Sequence, residues 1–200
     1  MPSASTRQHL LDFGLQTITN PRSVAQSIVA LHFSRDIGWL LMVLAITLNG
    51  LFVGVGAYLV PEVYDSIFPG IVLTPITFSI ISGGMLIISV FTVFYTGLML
   101  GGQGRFSDAI MLTAWLNFVM VVLLGAQLLL TFVSPLLGVI ATVARFVIGL
   151  RGYVIFTDVM LNFDNVGRAV LTLFIAFAGS VLGLSLILAL IGVGAAAGGG

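Results

Sequence analysis

The chain predicts an all-α, polytopic membrane protein: a bundle of five transmembrane helices preceded by short amphipathic N-terminal helices. Three observations carry that reading. Hydrophobic residues make up 59% of the 200 and charged residues only 7%, against about 25% charged in an ordinary soluble domain. Mean hydropathy is +1.21. The apolar residues are also gathered into uncharged runs that reach the ~20 residues needed to cross a ~30 Å hydrocarbon core. Net charge is zero, which leaves no basic field for nucleic acid. Cysteine is absent, which removes disulfides, thiolate metal sites and cysteine nucleophiles together.

Three regions follow: an amphipathic N-terminal segment over 1–35, a transmembrane domain over 36–193, and a low-complexity tail, GAAAGGG, over 194–200. The first 35 residues are polar or amphipathic and the first long apolar run starts near Ile37, so that run is expected to be a retained span and no cleaved signal peptide is expected. Leu11, Leu15 and Ile18 fall at i, i+4, i+7 and predict a short helix before Asn20-Pro21. Asparagine suits an N-cap, and proline suits the first helical position, where its missing N–H would be unpaired anyway. The helix that follows sets Val24, Ile28 and Leu31 on one stripe. It can lie in the headgroup plane or pack on the end of the bundle; the sequence leaves both placements open.

The five spans are expected at about 36–59, 75–100, 108–132, 136–160 and 168–193. Pro61 ends the first, in which Gly50 and Gly54 form a G-x-x-x-G pair. Such a pair lets a second helix backbone approach closely. The connection after it carries Glu62 and Asp65 among prolines, and a solvated surface is the expected reading of that pair. GGQGRF after the second span is Gly-rich but lacks the P-loop lysine and follows no strand, so it reads as a turn. Ser107 or Asp108 is expected to cap the third span. Ser134-Pro135 is so short a turn that the third and fourth spans must form an antiparallel hairpin. Gly179 and Gly183 repeat the G-x-x-x-G pattern in the fifth span, and all four glycines are expected to serve helix packing.

Arginine placement orients the bundle. With the N-terminus inside, Arg7, Arg22, Arg35, Arg105 and Arg168 fall on cytoplasmic segments, while the opposite connections carry none. That asymmetry is what the positive-inside rule expects. The N-terminus is therefore expected in the cytoplasm and the C-terminus on the other side.

The fourth span, LLGVIATVARFVIGLRGYVIFTDVM, is the polar exception, with Arg145, Arg151 and Asp158 inside it. A charge at the bilayer centre costs ~2.5–3.5 kcal/mol even on lenient scales, so it usually faces protein. Arg151 and Asp158 lie towards the cytoplasmic end, where an arginine can snorkel to the headgroups. At a rise of ~1.5 Å per residue, Arg145 and Asn117 of the third span come out at a common depth near the midplane, with Ser180 at a similar level. The expectation is a polar cluster of Arg145, Asn117 and Ser180, in which Arg145 bonds Asn117. The favoured role is fixing helix register rather than chemistry.

The order of these features carries a family resemblance. PRSVAQSIVALHFSRDIGWLLMVLAITLNGLF, then GGQGRFSDAIMLTAWLNFVMVVLLGAQLLL, then SPLLGVIATVARFVIGLRGYVIFTDVMLNFDN together resemble the bacterial branch of the Yip (Ypt-interacting protein) membrane family, over roughly residues 20–192. The resemblance implies a five-span bundle with a cytoplasmic N-terminus, multi-pass in the cell's inner membrane. Eukaryotic relatives are associated with Rab-type GTPases and with membrane shaping or vesicle traffic, and carry a long cytosolic N-terminal region. That region is missing here, so GTPase binding does not transfer, and no functional residue does.

The functional expectation is a non-enzymatic integral membrane protein of Yip-domain type that organises membrane or binds membrane partners. The lipid bilayer is its first partner, with other membrane proteins or a second copy of itself as further ones. A small transporter or channel component, with Arg145 as an internal charged group, is the alternative. An intramembrane enzyme ranks last: His9 and His32 both precede the first span, and no H-E-x-x-H or G-x-S-x-G occurs. No catalytic residue, metal or cofactor is called for.

Overall fold

A computed structural model describes residues 4–59 and 74–190 of the chain. Those residues form seven helices and no strand. Two are short: α1 (Ala4–Thr19) and α2 (Pro21–Ala30). Five are long and apolar enough to cross a membrane: α3 (Arg35–Leu59), α4 (Pro75–Met99), α5 (Phe106–Val133), α6 (Pro135–Leu161) and α7 (Val166–Leu190). The connection carrying Glu62 and Asp65, and the Gly/Ala tail, lie outside the described residues.

Local chemistry sets the helix ends. Pro21, Pro75 and Pro135 each open a helix, where the missing N–H costs nothing. Thr74 Oγ1 accepts the Thr77 N–H at 3.1 Å. Neither Ser107 nor Asp108 caps the third span as expected. The helix starts earlier, with Arg105 at its N-cap and no side-chain cap bond. Asp108 then falls in the first turn, where a carboxylate faces the positive end of the helix dipole.

The long helices run alternately up and down and close into a ring. α3 lies between α4 and α5, α5 against α6, α6 against α7, and α7 returns to α4. The Ser134-Pro135 turn makes α5 and α6 an antiparallel hairpin in regular step. Thr131 faces Gly138, Gln127 faces Thr142, Met120 faces Gly149, and Asn117 faces Tyr153.

The two ends of this ring differ. The apolar core of buried side chains gathers at the end that carries α1 and α2. It draws on Ile110, Leu112 and Leu116 of α5, Phe156, Met160 and Leu161 of α6, Phe94 of α4, and Val24, Ala25 and Ile28 of α2. Towards the other end, α6 has no buried residue between Gly138 and Gly149. The GGQG turn helps to close the tight end. A Cβ on Gly104 would stand 1.8 Å from the Met160 carbonyl oxygen, and one on Gly97 would stand 2.2 Å from Leu161 Cδ1. Gly101 takes φ +87, a conformation open to glycine at little cost.

The two G-x-x-x-G pairs part company. A Cβ on Gly50 would meet Ser79 Oγ at 1.9 Å, and one on Gly54 would meet Pro75 Cγ at 2.4 Å, so this pair brings α3 against α4. Gly179 and Gly183 have nothing within 4 Å. Among the described residues they meet no other helix, so this pair shows none of the close packing that the first one does. The motif permits close approach, but only a neighbour on that side of the helix uses it.

Candidate functional site

Two polar regions stand out: a network that fastens the N-terminal helices to the end of the bundle, and a set of polar side chains within the ring.

The first begins at Asp158, near the end of α6. Its side chain is 1% exposed and forms an ion pair with Arg22 of α2, itself 40% exposed. The other carboxylate oxygen, Oδ1, accepts the Asn165 N–H at 2.9 Å. Asn162 takes the left-handed conformation at the C-cap of α6, and Asn165 Oδ1 accepts the Gly167 and Arg168 N–H groups at the start of α7. One buried carboxylate thus ties together α2, the end of α6 and the turn into α7. Arg151, two turns earlier, donates to the Ile18 and Thr19 carbonyls at 3.4 and 3.3 Å. These are the last carbonyls of α1, the negative end of its dipole, where a cation is favoured. Trp115 Nε1–H donates to Thr17 Oγ1 at 3.0 Å, and Phe13 meets the Trp115 ring edge-on at 5.3 Å.

These contacts settle the placement of α2. Val24, Ala25 and Ile28 are buried at 0, 0 and 3% exposure against the bundle. The short helix predicted from Leu11, Leu15 and Ile18 is present as α1. Leu15 is 62% exposed, and the docked face carries Phe13 and Thr17 instead. The receiving surface is the indole of Trp115, which matches an aromatic ring and a hydroxyl better than an aliphatic stripe.

Within the ring, the expected cluster of Arg145, Asn117 and Ser180 is not formed. Arg145 Nε–H donates to Gln127 Oε1 at 2.9 Å, and Gln127 Nε2 donates to Thr142 Oγ1 at 2.8 Å. Asn117 Nδ2 donates to the Thr113 carbonyl and to the Tyr153 hydroxyl oxygen, both at 3.0 Å. Ser180 Oγ pairs with the Ala176 carbonyl at 2.8 Å and with Thr92 Oγ1 at 3.3 Å. Equal depth of two Cα atoms does not bring their side chains together. Helical side chains lean towards the helix N-terminus. The long Arg145 side chain therefore reaches back towards the Ser134-Pro135 turn and meets Gln127, well above Asn117. At the level of Asn117 the hairpin presents Tyr153.

Tyr153, unremarked in the sequence, is the centre of the interior. It lines a cavity of about 300 Å³ with Asn49, Ser82, Ser89 and Asn117. It also lines a cleft of about 360 Å³ between α4 and α7. Its one sequence signal was a tyrosine well inside an apolar span, away from the interfacial level where tyrosine is common. Asn49 gives as slight a signal, a lone amide in ITLNGLF.

A family model, the Yip1 domain, matches residues 15–196. No curated protein and no solved structure matches the chain. The match spans both docked helices, at least in part, and all five membrane-crossing helices, so this chain belongs to the Yip1 domain family of integral membrane proteins.

Proposed function

We propose that this protein is a non-enzymatic membrane organiser that acts by its shape and by the partners it holds in the bilayer. The observation that carries the reading is the fastening of α1 and α2 to one end of the ring by the Arg22–Asp158 pair and Arg151. Two extra helices at one membrane interface, with Leu15 and Leu31 exposed at 62 and 63%, make that end broader than the other. A body broader in one leaflet favours a bilayer curved away from it. The arginines at this end, Arg22, Arg35, Arg105, Arg151 and Arg168, support a cytoplasmic placement by the positive-inside rule. The Gln127 bond of Arg145 supports a structural role for that residue within the hairpin.

Curvature sorting tests the reading. Purified protein reconstituted into a mixture of small and large unilamellar vesicles is expected to concentrate in the small ones. A variant lacking residues 1–34 should lose that preference while keeping its helical content. Equal density on both sizes for the full chain would overturn the proposal.

A further inference from the structure

We infer that the interior around Tyr153 is a binding site for a neutral lipid bearing a free hydroxyl, its head among Asn49, Asn117 and Tyr153 and its hydrocarbon between α4 and α7. The depth comes first. Asn49 lies fourteen residues beyond Arg35, Ser89 ten before Met99, and Asn117 eleven beyond Phe106. At 1.5 Å per residue these positions are roughly 15–21 Å from one face of a ~30 Å core. Water is scarce at that depth, so a polar group there needs a partner.

The hydrogen-bond capacity of these groups is not used up within the protein. Asn117 directs both Nδ2 hydrogens to Thr113 and Tyr153, which leaves its Oδ1 as an acceptor. Tyr153 accepts that bond through oxygen, and its own O–H has no acceptor among the described residues. Asn49 makes no side-chain hydrogen bond among the described residues, yet it lines the cavity with them. Among the described residues no polar side-chain atom is both fully buried and unpartnered, so the Asn49 amide is not sealed off, and both Asn49 and Tyr153 line the cavity. Ser82 and Ser89 spend their protons on the Phe78 and Leu86 carbonyls. The surplus is one hydroxyl donor, one amide acceptor and one complete amide. An alcohol satisfies that set best, accepting from Tyr153 O–H and donating to Asn117 Oδ1.

The charge of the occupant follows from the lining. No residue around the cavity or the adjoining cleft is charged. An ionised headgroup would lack a counter-charge at a depth where that is costly. The place of the tail follows from continuity. The cleft between α4 and α7 shares Met85, Ser89 and Tyr153 with the cavity, and its remaining walls are mostly apolar, including Leu173, Phe177 and Val181. The hydroxyls of Thr92 and Ser180 in that wall are already bonded to backbone carbonyls. The two volumes, about 300 and 360 Å³, fall in the range of small-molecule sites. A polar chamber that runs into an apolar slot fits an uncharged amphiphile.

The test uses the full chain in nanodiscs, photolabelled with hexadecanol carrying a diazirine on its chain. Labelling is expected on α4 and α7 peptides around Met85–Val93 and Leu173–Val181. Excess hexadecanol should compete, while hexadecane and hexadecyl phosphate should not. Tyr153→Phe, which keeps the ring, and Asn49→Leu should each lower site labelling about tenfold. Val143→Ala, exposed on α6 and outside both volumes, should leave it unchanged. Competition by hexadecane equal to that by hexadecanol would overturn the inference. So would labelling that Tyr153→Phe leaves intact, or labels spread evenly over the lipid-facing surface.

Discussion

The pair most open to a quantitative test is Arg22–Asp158. Arg22→Ala leaves the Asp158 carboxylate, 1% exposed, with the Asn165 N–H at 2.9 Å as its remaining close donor. Breaking a fully buried pair from one side costs about 3–5 kcal/mol. Arg22 is 40% exposed, so water partly replaces it, and about 2–3 kcal/mol is the better figure. Asp158→Asn is milder. The amide oxygen still accepts from Asn165, and the freed guanidinium hydrates at the surface, for a loss of about 1 kcal/mol. The double variant Arg22→Ala/Asp158→Asn removes the stranded charge and should resemble Asp158→Asn alone.

Hydrogen–deuterium exchange of the α2 amides, with the protein in nanodiscs, reads this directly. Local opening costs less by the energies above. At 1.4 kcal/mol per tenfold, exchange over Val24–Ala30 should rise roughly 30- to 150-fold in Arg22→Ala and about fivefold in the other two variants. The order of effects is the decisive result. If Arg22→Ala proves no worse than Asp158→Asn, or if the double variant is as loose as Arg22→Ala, the pair does not hold α2 in place and the fastening argument fails.

Gly104→Ala should unfold the protein at markedly lower temperature, by about 2 kcal/mol or more, since its Cβ would stand 1.8 Å from a carbonyl oxygen. Gly179→Ala, with open space around it, should be neutral or slightly stabilising, by up to about 1 kcal/mol of helix propensity; thermal unfolding in detergent checks both. For orientation, cysteines at Gln103 and Ser134, set in a chain that has none, should label on opposite sides of intact cells. Ser134→Cys should react with a membrane-impermeant reagent and Gln103→Cys only after permeabilisation, and the reverse would overturn the cytoplasmic placement of the α1/α2 end.

The five long helices were legible because crossing a membrane is a demand on composition and length, which a sequence states openly. Which way each helix faces was not. In water a buried face is apolar and an exposed one polar, whereas here Phe146 and Phe174 are 69 and 70% exposed and lipid accepts them as readily as the core does. Azimuth then rests on a few polar side chains and on glycine. Gly50-x-x-x-Gly54 and Gly179-x-x-x-Gly183 are identical as motifs, yet one meets α4 and the other meets no neighbour among the described residues. The Arg22–Asp158 pair joins residues 136 apart, a partnership that no periodicity encodes. Asn117 was noticed, but with the wrong partner, because depth was counted along the axis and the lean of a long side chain was not.

The division of the ring into a tight end and an open one brings these observations together. At the α1/α2 end, Ser107 to Leu112 of α5 are buried without a break, a pattern that lipid contact alone would not produce. They are enclosed by α2 and by the close approach at Gly104, and the Asp158 network ties the same region to α7. Beyond Tyr153 the seam between α5 and α6 carries separated polar pairs, Asn117–Tyr153 and then Gln127 with Thr142 and Arg145. Such pairs average ~0.6 kcal/mol each in a membrane, far less than a continuous packed core. The cavity lies at the edge of the packed core, where Ile46, Leu86 and Tyr153 border both. α4 and α7 border the cleft at that level and are joined there by Ser180 and Thr92 at 3.3 Å. The fastened end and the cleft between α4 and α7 are thus separate features, which the curvature and photolabelling tests read independently.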